Sequence, residues 1–228
     1  MQRALLSVFL VAAAFTAACH DDTSSGIGQG RLRIVHASPD APDLAVVVDG
    51  DTVVSDLAYL GSSEYLELPA AGHVMQVADA SADTTLIDRD VTIADGVDYT
   101  IVVGDTLRSL KALVLTDDNS TPPAGTIRVR AIQGAPHAGA VDVYVTDPGA
   151  DLTLTGPLAS DVRFGQVLPY VQTNSGTYQV RVTQTDSKDV LIDSGALTLQ
   201  NDQIRTVIAV EAAGGGEPFD FLVLNDRD

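Results

Sequence analysis

The chain repeats itself, and this repeat limits the possible folds more than any other feature. Five blocks of residues 32–118 return in the same order in residues 127–228. LRIVHASPDAPDLAVVVDG is answered by IRVRAIQGAPHAGAVDVYV, and LVLTDD by LVLNDRD, while the offset between matching blocks grows from 95 to 109 residues. Self-similarity of this kind predicts two copies of one small domain, with the insertions placed in loops of the second copy.

Within each copy, short segments rich in Val, Ile, Leu, Thr and Tyr are separated by turn residues. VVVDGDTVV at 46–54 places Asp-Gly between two valine-rich arms, which predicts a β-hairpin. EYLEL at 64–68 and YQVRV at 178–182 alternate polar and apolar residues, as strands with one wet face do. No stretch after residue 30 has a sustained helical pattern. We expect an all-β protein with two tandem immunoglobulin-like antiparallel β-sandwich domains of about seven strands each.

The repeat and the composition together predict the domain boundaries. The first β-sandwich repeat is expected at 31–118 and the second at 126–228, joined by the proline-stiffened linker NSTPPAG at 119–125. Residues 19–30 are mostly polar or glycine, so we expect a flexible tether in front of the first repeat. The three tether glycines do not indicate a nucleotide-binding loop, because no strand precedes them.

The N-terminal segment has the order of an export signal. MQR supplies a positive charge, ALLSVFLVAAAF is an apolar run too short to span a bilayer, and two alanines follow just before Cys19. Residues 1–18 are therefore predicted to be a signal peptide. Because the chain contains only one cysteine, Cys19 cannot form an intrachain disulfide.

The segment TAAC, ending at Cys19, resembles a bacterial lipobox, in which the cysteine is acylated and becomes the first residue after cleavage. We expect Cys19 to be the lipid attachment site and the chain to be exported and lipid-anchored in the cell envelope. Thr16 stands where a lipobox usually has leucine, so an ordinary secretory signal with a chance cysteine stays the alternative. His20, which is not aspartate, favours the outer membrane by resemblance to enterobacterial sorting rules.

The net charge of the chain limits the classes of partner that it can bind. The chain has 31 acidic against 13 basic residues, a net charge of −18. Such an excess repels nucleic acid and anionic lipid headgroups. We therefore expect no nucleic-acid partner, and contact with the membrane only through lipidated Cys19. An envelope protein or polysaccharide is the expected partner.

Three segments of the first copy carry a family resemblance: RIVHASPDAPDLAVVVDG, LPAAGHVMQV and LVLTDD. They resemble the bacterial family catalogued as domain of unknown function 4397, whose members are typically secreted or surface-anchored and often tandem. The resemblance covers almost all of residues 31–118, whereas AIQGAPHAGA replaces the sharp HASPDAP motif in the second copy. It implies an extracytoplasmic β-domain in a tandem-domain lipoprotein, and it supplies no activity or catalytic residues.

The HASPDAP loop of the first copy holds the residues most able to carry chemistry. His36, Ser38 and Asp40 are close in sequence, but a catalytic triad needs a specific geometry and usually draws partners from distant segments. Ser-Pro-Asp indicates first a rigid turn. We interpret these three residues as a structural loop that can also contact a ligand or partner, and we assign no catalytic residue. Tyr59, with Tyr170, is the best candidate for an exposed aromatic contact.

No metal or cofactor site is expected. The histidines lack the spacing of zinc ligands. Two aspartate pairs, Asp49 with Asp51 and Asp117 with Asp118, are interpreted as solvated turn residues in preference to a weak calcium site. The hypothesis is a non-catalytic envelope lipoprotein whose tandem β-domains bind or act as a spacer. The alternative is an envelope hydrolase or calcium-dependent enzyme with a site near the HASPDAP loop.

The lipid anchor can be tested by labelling growing cells with palmitate. Wild-type protein is expected to incorporate label and the Cys19→Ala variant to lose it, because the thiol is the acceptor of the acyl chains. Label in both proteins, or in neither, contradicts the assignment.

Overall fold

The structure is a computed structural model that describes residues 27–82 and 84–227. The predicted signal peptide, Cys19 and most of the tether lie outside the described residues. The first copy consists of eight strands and a single 3-10 turn at Leu107–Ser109. The strands are β1 (Gln29–His36), β2 (Leu44–Val48), β3 (Asp51–Leu57), β4 (Leu66–Pro69), β5 (Gly72–Asp79), β6 (Thr84–Thr92), β7 (Asp98–Gly104) and β8 (Lys111–Asp117).

The second copy repeats this order with eight further strands. They are β9 (Thr126–Gln133), β10 (Val141–Thr146), β11 (Ala159–Val162), β12 (Val167–Asn174), β13 (Gly176–Gln184), β14 (Val190–Leu199), β15 (Ile204–Val210) and β16 (Asp220–Arg227). In the described part of the chain, no helix is long and apolar enough to cross a membrane.

Each copy forms two four-stranded sheets. The first copy has the orders β4-β1-β7-β8 and β3-β2-β5-β6, and the second has β12-β9-β15-β16 and β11-β10-β13-β14. The predicted fold class, two tandem β-sandwich domains, is confirmed. The sheets are not wholly antiparallel, because β1 pairs in parallel with β7 and β9 with β15. Parallel neighbours need a long connection, and here the chain between them builds the other strands of the copy.

The predicted hairpin at Asp49-Gly50 joins β2 to β3. Both residues have positive φ angles, 52° and 93°, which a two-residue turn of type I′ requires. Within each sandwich, the inward residues of the two sheets then form a separate core. Leu32, Ile34 and Ile101 pack against β2 and β5 in the first copy, and Val141, Val143 and Val182 pack with Ala209 in the second.

The central strands are buried on both faces, and this joins the two copies. On β1, Leu32 and Ile34 face their own sandwich, whereas Val35 belongs to a third apolar cluster shared with the other copy. That cluster combines Val35, Ala37 and Val102 of the first copy with Ile132, Ile208, Val210 and Leu224 of the second. We call this contact between the sheets β4-β1-β7-β8 and β12-β9-β15-β16 the junction.

Buried charges cross the junction. Arg33 donates to Asp226 Oδ1 of the second copy at 2.5 Å, and the two side chains are 5% and 0% exposed. Arg33 also donates to Oγ1 of Thr100 in its own copy. The pairing is repeated with the copies exchanged, because Arg130 pairs with Asp117 and donates to Thr206 Oγ1 at 2.7 Å.

Hydroxyl groups complete both halves of this network. Thr100 and Tyr65 donate to Asp117 Oδ2, and Tyr170 donates to Asp226 Oδ2. Thr206 donates to the same Asp226 oxygen. Each arginine lies over the tyrosine of its own copy, with Arg33 4.7 Å from the Tyr65 ring centroid and Arg130 4.8 Å from that of Tyr170. Burial raises the pKa of Tyr65 to about 12, so this hydroxyl stays a neutral donor.

Breaking one crossed pair is expected to destabilise the whole molecule. Arg130→Met removes the cation and leaves the Asp117 carboxylate buried without its ion-pair partner, which costs on the order of 3–5 kcal/mol. Urea denaturation followed by circular dichroism measures the loss in the free energy of unfolding.

Arg31→Met is the matched control. Arg31 pairs with Asp98 within the first copy, and its side chain is 47% exposed, so water already screens this pair. Its loss is expected to cost about 1 kcal/mol or less. Equal effects of the two substitutions would show that the junction pairs do not hold the copies together.

Candidate functional site

The HASPDAP loop of the first copy folds back on itself at the end of β1. His36 is fully buried, and its Nε2 lies 3.0 Å from the carbonyl oxygen of Pro42. Its Nδ1 accepts a hydrogen bond from the main-chain nitrogen of Ser38 at 3.3 Å. The Tyr59 ring meets the imidazole edge to face, with centroids 5.8 Å apart. Both ring nitrogens therefore contact the main chain of their own loop.

Ser38 and Asp40 do not join His36 in a catalytic arrangement. The Ser38 hydroxyl is buried and has no hydrogen-bond partner among the described residues. Asp40 is exposed, and its carboxylate accepts a hydrogen bond from the main-chain nitrogen of Leu107 at 2.7 Å. His36 and Asp40 thus bind main-chain groups of the first copy and fix the loop, whereas the Ser38 side chain makes no such bond.

Tyr59 reaches across the junction. Its hydroxyl donates to the main-chain oxygen of Glu211 in the second copy at 2.8 Å, and the ring is half-buried. The main-chain nitrogen of Gly214 donates in turn to the oxygen of Pro39 at 2.6 Å. We call this edge of the junction, formed by Pro39, Tyr59, Glu211 and Gly214, the closed side.

A histidine and a buried glutamate organise the second-copy loop at the closed side. Glu211 is buried, and its carboxylate accepts hydrogen bonds from the main-chain nitrogen of His137 and from that of Gly216. His137 Nδ1 lies 2.8 Å from Glu211 Oε2, and this contact raises the pKa of the exposed imidazole. The pair fastens the loop after β15 to the loop after β9.

Hydrogen bonds show which residues of the two copies are equivalent. In the first copy, Leu60 donates to the oxygen of His36, and His36 donates to the oxygen of Gly61. In the second copy, Gly165 donates to the oxygen of Gln133, and Gln133 donates to the oxygen of Gln166. The structure therefore aligns His36 with Gln133 and Tyr59 with Phe164, so that Phe164 faces the first copy where Tyr59 faces the second.

The opposite edge of the junction is an open groove of about 730 Å³. It lies where Phe164 of the second copy faces β8 of the first, and the Lys111 ammonium is 5.6 Å from the Phe164 ring centroid. We call this edge the open side. Phenylalanine has no hydroxyl to bridge it, and the loop at 105–110 is shorter than the glycine-rich loop at 211–219 that covers the closed side.

Gln133 lines the groove, and one of its side-chain atoms is a hydrogen-bond donor that makes no bond within the described residues. Its side-chain oxygen accepts a hydrogen bond from the main-chain nitrogen of Ala135 at 3.1 Å, as His36 Nδ1 does from Ser38. Its side-chain nitrogen is buried and has no partner among residues 27–82 and 84–227. An unpaired buried donor is costly, so this atom marks a place where a ligand acceptor would be favourable.

Metal binding finds no support in the described residues, where no group of three or more His, Cys, Asp or Glu side chains converges. Asp117 is not a solvated turn residue, as the sequence suggested, but a buried partner of Arg130. Sequence reasoning also missed Gln133 and Phe164. These two residues occupy the positions equivalent to His36 and Tyr59 of the first copy. This equivalence becomes visible only when the strands of the two copies are aligned.

A family model matches the chain in two segments. The family described as "Domain of unknown function (DUF4397)" matches residues 30–144 and 145–228. The boundary between the two matches falls inside β10, whereas strand pairing separates the copies between Asp117 and Thr126. No curated protein matches the sequence.

Several solved structures are similar to the chain at low sequence identity. One is a structure from work on "Alpha-glucan recognition by family 41 carbohydrate-binding modules from streptococcal virulence factors". It is 12% identical, the match covers 84% of this chain and 96% of that chain, and the TM-score is 0.27. A family 26 module from Eubacterium rectale Amy13K in complex with maltoheptaose has 11% identity, coverages of 87% and 98%, and a TM-score of 0.25. The Bacillus anthracis TIE protein has 11% identity, coverages of 80% and 34%, and a TM-score of 0.27. TM-scores this low mean that these chains do not superimpose on this one as wholes.

The buried histidine gives the loop a distinct pH dependence. Burial lowers the pKa of His36, against a smaller opposing effect of the Pro42 carbonyl and Asp43. Because the unfolded imidazole has a pKa of about 6.5, the unfolded chain binds more protons below that pH, and stability falls as pH falls. His36→Gln, which installs the residue of the second copy, is expected to remove a loss of up to about 1.4 kcal/mol per pH unit as the pH falls below about 6.5.

Urea denaturation of both proteins at several pH values measures this difference. His73 and His137 are present in both, so their contributions cancel in the comparison. The same pH dependence with and without His36 would show that the imidazole is protonated as easily in the folded loop as in the unfolded chain.

Proposed function

This chain belongs to the DUF4397 family, whose description assigns no activity, and from its own geometry we propose that it is a non-catalytic binding protein of the bacterial cell envelope. Its ligand is an envelope polymer that enters the open side of the junction. Cys19 holds the protein at a membrane, in agreement with the export signal and the lipobox resemblance. With at most about 3.5 Å per residue, the roughly eight residue-to-residue steps from Cys19 to Ile27 keep the folded part within roughly 28 Å of the anchor.

The composite groove is the observation that carries this proposal. It is built from both copies, has a volume of about 730 Å³, and is lined by Gln133, whose buried amide nitrogen has no partner among the described residues. Ligand sites are typically concave, mostly apolar and located where domains meet, with a few polar groups that orient the ligand. A groove shared by two copies also gives a reason for the tandem arrangement.

The HASPDAP loop supports a non-catalytic role. Catalysis of the hydrolase type needs a hydroxyl aligned with an imidazole that is free to take its proton. Here His36 is engaged by Pro42 and by the Ser38 backbone, and Asp40 is engaged by Leu107. Binding in the groove requires none of these side chains to change its contacts.

Binding to envelope polymers tests the proposal. The mature chain without lipid is incubated with purified peptidoglycan and with purified surface polysaccharide of a lipoprotein-bearing bacterium, and the bound fraction is measured by sedimentation. Phe164→Ala is expected to lower binding at least about tenfold, since loss of an aromatic contact residue commonly costs more than 1 kcal/mol.

Leu154→Ala is the matched control, because Leu154 is an exposed apolar residue, 86% accessible, that does not line the groove. It is expected to leave binding unchanged. Binding that survives Phe164→Ala would place the ligand elsewhere on the protein, and no binding to either polymer would contradict the proposed role.

A further inference from the structure

The charge of the groove differs from the charge of the chain. Three titratable side chains line it, Arg89, Asp90 and Lys111, and the Lys111 ammonium is paired with the Asp105 carboxylate. The whole chain has a net charge of −18. The open side therefore does not share the strong negative charge of the chain, and among the described residues Arg89 is its one cation without an ion-pair partner, so a ligand with one negative charge per unit complements it.

Arg89 is the cation most available to a ligand. It donates to the main-chain oxygen of Ala112 at 2.5 Å, which fixes the guanidinium near β8. No carboxylate of the described residues lies within ion-pair distance of Arg89, whereas Lys111 pairs with Asp105 at 2.7 Å. An arginine guanidinium presents further N–H groups in a plane that suits the two oxygens of a carboxylate.

The other walls of the groove suit a ring with an apolar face. Ile87, Ala112 and Leu113, which are partly exposed, supply aliphatic surface, and the Phe164 ring stands at the rim. The unpaired Gln133 amide adds a donor for a hydroxyl or ring oxygen. A pyranose offers C–H groups on its faces and oxygens at its edge, so it matches this combination of aliphatic wall and isolated donors.

We infer that the open side of the junction binds a carboxylate-bearing saccharide, a hexuronate unit of an acidic polysaccharide. The inference rests on the proposed binding function and names its ligand class. Arg89 binds the carboxylate of the ligand. Gln133 donates to an oxygen of the sugar, and Phe164 packs against the ring.

Calorimetric titration with trigalacturonate, its methyl ester and citrate tests this assignment. The ester keeps the size and hydroxyl groups of the uronate but removes its charge, and citrate keeps carboxylates without the sugar ring. We expect trigalacturonate to bind, the ester to bind at least about tenfold more weakly, and citrate to bind weakly or not at all. Binding should also weaken as salt is added, because ions screen the attraction.

Arg89→Gln is expected to lower the affinity for trigalacturonate at least about tenfold, with little effect on the ester. Arg108→Gln is the matched control: it removes one positive charge from an exposed residue near β8 that does not line the groove. Its affinity should stay close to that of the wild type. Circular dichroism checks that both variants are folded.

The possible failures separate the two proposals. Equal binding of uronate and ester, lost in Phe164→Ala, would overturn the carboxylate assignment and leave the groove as a binding site for neutral polymer. Citrate binding as strong as that of trigalacturonate would overturn the saccharide part. If neither oligosaccharide binds but an envelope polymer still binds in a Phe164-dependent manner, the ligand class is wrong and the binding function stands.

Discussion

Each buried arginine at the junction takes its carboxylate from the other copy. Arg33 pairs with Asp226 and Arg130 with Asp117, while threonine and tyrosine hydroxyls satisfy the remaining carboxylate oxygens. A buried ion pair adds little net stability over an apolar contact of the same size, but a single unpaired member is very unfavourable. Apolar contact such as that of Val35 is non-directional, whereas these pairs are satisfied in one register of the two sheets. They therefore fix the relation on which the groove depends.

The two copies differ at a few equivalent positions, and these differences create one groove instead of two. Tyr59 bridges to Glu211 on one side, and Phe164, in the same place on the other side, cannot. Both ring nitrogens of His36 contact main-chain groups of its own loop. The side-chain amide nitrogen of Gln133 has no partner among the residues that the structure describes. The duplicated framework supplies the walls, and the substituted side chains decide which side can accept a ligand.

The repeat and its strand patterns were enough to predict the tandem β-sandwiches and the Asp49-Gly50 hairpin. They were not enough to predict the junction, because a strand buried on both faces has a nearly continuous apolar sequence that looks like ordinary core. YTIVV and RTVIAV, the segments of β7 and β15, are such strands. The arginines of β1 and β9 were a signal that this reasoning left unused, since a charge amid apolar strand residues must find a partner. The groove could not be predicted at all, because it depends on which loops meet across the junction.

The position of the groove has a consequence for how binding energy is used. Its walls come from strands and loops of both copies, which a buried network and a shared apolar cluster hold together, so the proposed ligand would meet a site that is already formed. A ligand that had to draw two independent domains together would lose affinity to the ordering of the protein.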